Sequence, residues 1–370
     1  MLASYTLTAH TSQPYPSLLA SLITTPLNLS STFPAPGNSS LAVIPPTPNN
    51  WGSSYGDNVP AGGLVSTLSD LSSFVHAILT ANPSLGLTKS QLDAWKKPHA
   101  FTGSQYSFVG MPWEIFRPPP EALFPFSDEE ERDEYGRGEG RGHTVTILSK
   151  GGGAYGYHAH VALIEEYGVG IAVLTAGGEN AVMVVVNALL SVVVPALDKV
   201  AREQVREEYV GGYFGKERDG VHVNATVELD GLSLKLTGLG RNGSDILAGL
   251  GELWNVTVAG FLPSRLTGVY RIYPAEVERR ETLPGGREVV LEDWRLQWDI
   301  EFDMKSDLPG SQLSGKDCLS WTLTDWMHYG SEPIDRVVFV KDAKTGNVLG
   351  LDVPFLRTGV MGKAKLKRQA

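Results

Sequence analysis

The sequence predicts an α+β fold in two parts, a sheet-and-helix domain over residues 1–204 and an all-β domain over residues 205–370. Two apolar, strand-like runs flank a turn at 165–168, and they are followed by an apolar run of 17 residues at 181–197. From Val221 onward apolar and polar residues alternate, which is typical of half-buried strands. The length of 370 residues also exceeds the usual size of a single core.

The two strand-like runs predict an antiparallel hairpin within a larger sheet. Residues 160–164 form its first strand and 169–175 its second, which is apolar enough to be buried on both faces. Shortly before it, Lys150 is followed by Gly151, Gly152 and Gly153. Glycines let a ligand approach the backbone closely. The sequence therefore predicts a strand edge that can hold an anionic substrate beside Lys150.

Apolar residues at helical spacing predict three helices in the first domain. Ser69 and Asp70 cap one helix, with the hydroxyls of Thr67 and Ser69 near this cap, and a second helix begins near Thr88. The third, at 181–197, would be about 25 Å long, which is short of the hydrocarbon core of a membrane. We expect a core helix packed on the sheet and no membrane span, with 198–208 as a charged extension.

A charged, glycine-rich stretch lies between Pro118 and His143. Mixed charge with glycine does not bury enough apolar surface to order itself. We interpret this stretch as a solvated insertion between two strands.

The second domain consists of alternating runs such as 221–229 and 294–302, separated by turn sequences. About eight strands fit into its length, which is enough for a closed barrel or a sandwich. We therefore predict an all-β barrel or sandwich.

Four segments in order along the chain carry a resemblance to a known family. Residues 25–33 read TPLNLSSTF, 60–71 read PAGGLVSTLSDL, 110–114 read GMPWE, and the fourth segment begins at Lys150. In these segments the chain resembles the serine beta-lactamase and penicillin-binding protein superfamily, which has a transpeptidase-like fold. Lys150-Gly151-Gly152 stands where that family has Lys-Thr-Gly, with a glycine in place of the usual Ser or Thr.

The resemblance implies a serine hydrolase site along this strand. Lys150 and Gly152 belong to its third motif, in which the lysine helps to position a substrate carboxylate, and the N–H of Gly153 contributes to the oxyanion hole. The family acts on small molecules or peptides, namely β-lactams, D-amino peptides and carboxylic esters, and no cofactor is implied. The sequence Lys-Thr-Gly also occurs at 344–346, but there it has the composition of a tight turn and lacks a catalytic flank.

Most of 205–360 resembles the carboxy-terminal β domain of secreted fungal beta-lactamase-like hydrolases, through segments such as 317–321 and 329–330. This resemblance implies a fungal, secreted type of protein.

The nucleophile and general base of the family are missing from the sequence. A serine of this kind needs a lysine three residues later, one helical turn away, to take its proton. None of the fourteen lysines has Ser or Thr three residues before it, and no Tyr-x-Asn precedes residue 25. We therefore predict an amino-terminally truncated, catalytically inactive fragment or pseudoenzyme.

Two alternatives to a serine hydrolase remain open at this stage. The β domain could be a non-catalytic module that binds an apolar or glycan ligand with its Trp and Tyr residues. Less favoured is a zinc-dependent hydrolase that uses His158 and His160, because residues two apart lie on one face of a strand but no third ligand is evident.

Composition and glycosylation signals bear on partners and compartment. The net charge of −10 and the pI near 5.3 argue against a nucleic-acid ligand. The single cysteine, Cys318, allows no internal disulfide. Residues 1–5 open no signal peptide, so the protein is expected to be cytoplasmic if Met1 is the true start. In contrast, five Asn-x-Ser/Thr triplets favour a secreted glycoprotein, at Asn28, Asn38, Asn224, Asn242 and Asn255.

Overall fold

The computed structural model describes residues 1–124, 143–178, 180–216, 220–230, 233–260, 262, 264–302 and 321–364. Most of the charged stretch at 118–143 and all of the segment around Cys318 lie outside these residues. Backbone contacts divide the chain into two units, Met1–Lys199 and Val200–Ala370.

The first unit contains seven α-helices and eight strands within the described ranges. The helices are α1 (Leu2–Thr11), α2 (Tyr15–Leu19), α3 (Val59–Gly62), α4 (Leu68–Leu79), α5 (Lys89–Lys96), α6 (Pro120–Leu123) and α7 (Ala181–Tyr209), of which α7 continues into the second unit. The strands are β1 (Phe33–Pro34), β2 (Leu64–Val65), β3 (Ala100–Phe101), β4 (Ser107–Val109), β5 (Glu114–Phe116), β6 (Ile147–Ala154), β7 (Tyr157–Ile164) and β8 (Val169–Ala176).

Strands β3 to β8 form one antiparallel sheet in sequence order, which confirms the predicted hairpin as β7 and β8. Each face of the sheet is covered by a helix. Helix α4 packs Val75 and Ile78 against one face, together with Leu148 and Leu163 of the strands. Helix α7 packs against the other face, where its buried partners on the strands include Ile147, Ile164, Ile171 and Val173.

The N-cap of helix α4 lies two residues before the predicted Ser69. Thr67 is the N-cap, and its hydroxyl accepts a hydrogen bond from the backbone N–H of Asp70. Ser69 and Asp70 therefore lie inside the first turn, so the prediction that they cap the helix is wrong. The second predicted helix, α5, does begin at Thr88, which forms a capping box with Gln91.

Strand β8 is not buried on both faces, in contrast to the prediction. Ile171 and Val173 are buried against α7, whereas Leu174 on the opposite face is 41% exposed. Helix α4 approaches β8 closely at Gly170, where an added Cβ would lie 2.0 Å from a methyl carbon of Val75. The exposure of Leu174, toward the end of β8, shows that α4 leaves this part of the face open.

The apolar run at 181–197 and its charged extension form the single helix α7. Val182, Val186 and Val194 are buried on the sheet, as expected of a core helix. The opposite side is exposed, with Val184 at 65% and Val192 at 69%. By length and composition this helix could also cross a membrane, so the absence of a span stays a prediction.

The second unit is a barrel closed by eight antiparallel strands within the described residues. Around the barrel the strand order is β10-β9-β19-β18-β17-β14-β13-β11, and β11 pairs again with β10. The elements are β9 (Gly211–Lys216), β10 (His222–Asp230), β11 (Ser233–Arg241), β12 (Ser244–Asp245), α8 (Ile246–Thr257), β13 (Ser264–Thr282), β14 (Glu288–Phe302), β15 (His328–Tyr329), β16 (Glu332–Pro333), β17 (Arg336–Asp342), β18 (Val348–Asp352) and β19 (Met361–Lys363).

Side chains fill the inside of this barrel. The alternating residues of each strand point inward, and Tyr213, Phe339 and Leu351 are fully buried there. Helix α8 adds Trp254, which is also fully buried and lies 5.9 Å from the ring of Trp298. The barrel interior is thus a packed core, which does not favour the alternative of an enclosed ligand in the β domain.

Candidate active site

Strand β6 has one edge that is only partly paired. It pairs with β7 from Leu148 to Ala154. On its other side, β5 pairs only with residues Ile147, Leu148 and Ser149. From Lys150 onward, no described strand covers this edge, so its backbone groups are available to side chains or ligands.

Two backbone N–H groups point out of the open edge. The N–H of Gly151 donates to Oε2 of Glu114 at 3.0 Å, on the side away from β7. Because N–H directions alternate along a strand, the N–H of Gly153 points out of the same edge. Gly152 and Gly153 are both exposed. This orientation is the one that an oxyanion-hole donor at Gly153 requires.

Lys150 lies at the start of the open edge and is engaged by Glu114. Its Nζ is 2.7 Å from Oε1 of Glu114 and also donates to the carbonyl of Gly151 at 2.7 Å. Burial would raise the pKa of Glu114, but the Lys150 ammonium and the Gly151 N–H outweigh it and hold that pKa below its usual value. Glu114 is therefore a carboxylate with both oxygens in use.

The backbone around Glu114 is fixed by burial on either side. Trp113 and Ile115 are 3% and 1% exposed, and the ring of Trp113 packs 5.0 Å from that of Trp95. The hydroxyl of Ser149 donates to the Glu114 carbonyl at 2.8 Å. Alternation along the strand then places the Glu114 side chain on the opposite face from Trp113 and Ile115. Sequence reasoning missed this residue, although it had singled out the segment 110–114.

His158 and His160 do lie on one face of β7, as their spacing predicts. They stand opposite Gly153 and Gly151, respectively. A Cβ added at Gly153 would lie 3.2 Å from Nδ1 of His158, so a larger residue at position 153 would crowd the His158 ring. His160 is 6% exposed, and its burial lowers the pKa of the imidazole. Its ring is therefore neutral at pH 7.

The histidine pair has no third metal ligand beside it in the described residues. Within those ranges no group of three or more His, Cys, Asp or Glu side chains is placed to hold a metal ion. Nε2 of His158 is buried and has no hydrogen-bond partner. A single buried donor atom is not a metal site, so the zinc alternative gains no support from this arrangement.

A loop holds the tip of the β6–β7 hairpin. The N–H of Asn50 donates to the Tyr155 carbonyl at 2.8 Å, and the Tyr157 hydroxyl donates to the Val43 carbonyl at 3.1 Å. Gly156 has φ +83°, and an added Cβ would lie only 2.5 Å from Asn49. These contacts fix the strand that carries Lys150 and Gly153 at its far end.

Comparison with known proteins places these features in a family. The family model described as Beta-lactamase matches residues 1–193, which is more than half of the chain. The chain belongs to the beta-lactamase family. A second model, described as Beta-lactamase-like-like, C-terminal domain, matches residues 201–364. The predicted family and the α+β fold with a carboxy-terminal barrel are thereby confirmed.

Three curated relatives of this beta-lactamase family chain are similar over most of its length. A beta-lactamase-like protein of Arthroderma benhamiae is 35% identical over 98% of the chain. The probable hydrolase M10 of Phoma sp. is 27% identical and the probable hydrolase clz13 of Cochliobolus lunatus is 26% identical, each over 91% of the chain. The chain spans 59%, 51% and 50% of the lengths of these relatives.

One solved structure is also similar to this beta-lactamase family chain. A beta-lactamase from Sulfitobacter sp. EE-36 is 18% identical and covers 54% of the chain and 57% of its own length, with a TM-score of 0.37. A similarity this low does not support an argument about the site.

Two features near or resembling the beta-lactamase motifs do not supply a nucleophile. Ser149, next to Lys150, is 1% exposed, and its hydroxyl is used by the Glu114 carbonyl. Lys344 lies in the turn between β17 and β18, where the N–H groups of Lys344 and Thr345 donate to Asp342 Oδ1 at 3.0 and 2.9 Å. This turn geometry accounts for the second Lys-Thr-Gly without any catalytic role.

Proposed function

We propose that this chain provides the lysine-bearing strand of a serine hydrolase site and performs no acyl transfer by itself. The observation that carries the proposal is the absence from the whole sequence of any Ser or Thr three residues before a lysine. Membership of the beta-lactamase family and the hydrolase names of two relatives support the reaction class, which is cleavage of amide or ester bonds. In this proposal the chain alone is a catalytically inactive fragment or a pseudoenzyme.

The physical reason for inactivity is the protonation state of a serine. A serine hydroxyl is a weak nucleophile unless an adjacent base removes its proton as it attacks. The Gly153 N–H can stabilise only the negative charge that develops on the carbonyl oxygen during that attack, so it cannot replace the nucleophile. Binding groups without a nucleophile leave a small residual acceleration over the uncatalysed reaction. The open edge of β6 is therefore a binding surface in this chain.

Covalent labelling of the 370-residue protein tests the proposal. We expect no labelling by a serine-reactive fluorophosphonate or by a fluorescent penicillin, with a heat-denatured sample as the background control. Stoichiometric labelling of any serine in the native protein would overturn the pseudoenzyme assignment.

An extended protein tests the role of the strand. We expect a version preceded by a segment with Ser-x-x-Lys and Tyr-x-Asn to be labelled by the uncharged, serine-reactive fluorophosphonate. In that version Lys150→Ala should slow acylation by about 10²- to 10³-fold, the size typical of losing one electrostatic stabiliser. Lys344→Ala is the matched control, because it removes the lysine of the second Lys-Thr-Gly, and its rate should equal that of the parent. An active extended protein that is indifferent to Lys150→Ala would show that the motif is misplaced.

A further inference from the structure

The carboxylate of Glu114 is bound in the way in which an exogenous carboxylate would be bound. Its Oε1 lies 2.7 Å from the Lys150 ammonium and its Oε2 accepts the outward N–H of Gly151 at 3.0 Å. A charged donor and a backbone N–H on one carboxylate form a charge-assisted pair of hydrogen bonds. The open edge of β6 thus contains an anion position, and a side chain of the protein already fills it.

This contact differs from the other lysine–carboxylate pairs described in the same unit. Lys89 pairs with Asp93, and Lys96 pairs with both Asp93 and Glu165; among the described residues no backbone N–H contributes to these contacts. Glu114, by comparison, replaces a missing strand partner, because β5 begins at this residue and no described strand pairs with Gly151 on this side. The Glu114 carboxylate therefore accepts hydrogen bonds from both the Gly151 N–H at the strand edge and the Lys150 ammonium.

The formal charge around this position is balanced. Glu114 carries −1 and Lys150 carries +1, while the buried His160 imidazole nearby is neutral at pH 7. A site without net positive charge does not draw anions from solution. A substrate carboxylate would also have to displace Glu114 from both of its donors before it could bind.

We propose that Glu114 is a built-in carboxylate that takes the place of a substrate carboxylate at Lys150 and Gly151, so that the site accepts uncharged acyl compounds and excludes those with a free carboxylate. The substrate class is then a neutral ester or amide. β-Lactams and peptides with a free terminal carboxylate are excluded. This substrate assignment rests on the function proposed above, whereas the contact of Glu114 is tested by binding alone.

Amide NMR of the 370-residue protein provides the test, with N-acetylglycine as the charged probe and N-acetylglycinamide as the uncharged probe of the same size. In the wild-type protein, N-acetylglycine should leave the Gly151 amide resonance unchanged. Glu114→Ala should gain N-acetylglycine binding at Gly151 that is at least about tenfold tighter than in wild type. The affinity for N-acetylglycinamide should be the same in Glu114→Ala as in the wild-type protein.

Two further variants make the result specific. Adding Lys150→Met to Glu114→Ala should abolish the gain, because the ammonium is removed. Glu165→Ala is the matched control: it removes one of the two carboxylates beside Lys96 but exposes no edge N–H, and Gly151 should not respond to the probe. If Glu114→Ala fails to fold, Glu114→Gln should show a smaller gain, because its amide does not form an ion pair with Lys150.

Three outcomes would overturn the proposal. They are equal binding of N-acetylglycine to wild type and Glu114→Ala, no binding to either Glu114 variant, and a gain that survives Lys150→Met. None of these three outcomes depends on acylation, so each would overturn the role of Glu114 without bearing on the proposed function. Labelling of the native chain, in contrast, would overturn the proposed function.

Discussion

The Asp70 carboxylate accepts a hydrogen bond from the Thr32 hydroxyl at 2.7 Å, although the two residues are 38 positions apart in the chain. The same Oδ2 atom also accepts the N–H of Ser31 at 2.8 Å, and the Thr32 hydroxyl lies 2.8 Å from that of Ser66. Asp70 is 7% exposed. These bonds join the segments 25–33 and 60–71, which are two of the four segments that carry the family resemblance. The contacts of Asp70 thus give a structural reason for these two segments to occur together in one chain.

Asp70→Ala is expected to destabilise the first unit by about 1–3 kcal/mol, because it leaves a backbone N–H and a hydroxyl without their buried acceptor. Urea unfolding, followed by tryptophan fluorescence, would measure the loss. Asp57→Ala is the matched control, since Asp57 is exposed, and its effect should stay within about 0.5 kcal/mol of zero. Equal effects at the two positions would mean that the Asp70 contacts contribute nothing to stability.

The burial of His160 predicts that the stability of the folded protein depends on pH. Burial lowers the pKa of its imidazole in the folded protein; the Glu114 carboxylate opposes this shift, and the Lys150 ammonium adds to it. The unfolded chain, whose histidine has a pKa of about 6.5, therefore binds a proton at higher pH than the folded chain does. The His160 contribution to stability is complete above that value and is lost as the pH falls through the depressed folded pKa.

His160→Gln should remove this part of the pH dependence. We expect the wild-type free energy of unfolding to rise from pH 5 to pH 7 more steeply than that of the variant, measured by urea titration at each pH. His222→Gln, at an exposed position, should keep the wild-type slope. A variant slope equal to that of wild type would contradict the burial argument.

Local patterns in the sequence were sufficient for most elements of the fold. The capping box of Thr88 and Gln91, the β7–β8 hairpin and helix α7 all depend on residues close together in the chain. The Glu114–Lys150 contact joins positions 36 apart at a strand edge. The alternation of residues within one strand does not show where the neighbouring strand begins or ends. For the same reason the pattern of β8 did not reveal that α4 leaves part of its face open.

The five sequons predict glycosylation if the protein is secreted. Each asparagine is exposed, including Asn224 on a strand and Asn255 within α8, so none is shielded by the folded chain. Secreted material should lose mass on treatment with an amidase that removes N-linked glycans, and the same chain made in the cytosol should not. A secreted protein whose mass is unchanged by the enzyme would contradict this prediction.

Helix α7 allows a test of which side faces the sheet. Val186 is 1% exposed, whereas Val184 and Val192 are 65% and 69% exposed on the other side of the helix. Val186→Gln should cost at least about 2 kcal/mol, because it removes a buried apolar side chain and buries an amide. Val184→Gln and Val192→Gln should change the free energy of unfolding by less than about 0.5 kcal/mol. They should also weaken retention on a hydrophobic interaction column, because they reduce the exposed apolar surface. Equal losses of stability at all three positions would mean that the second side of α7 is covered in the folded protein.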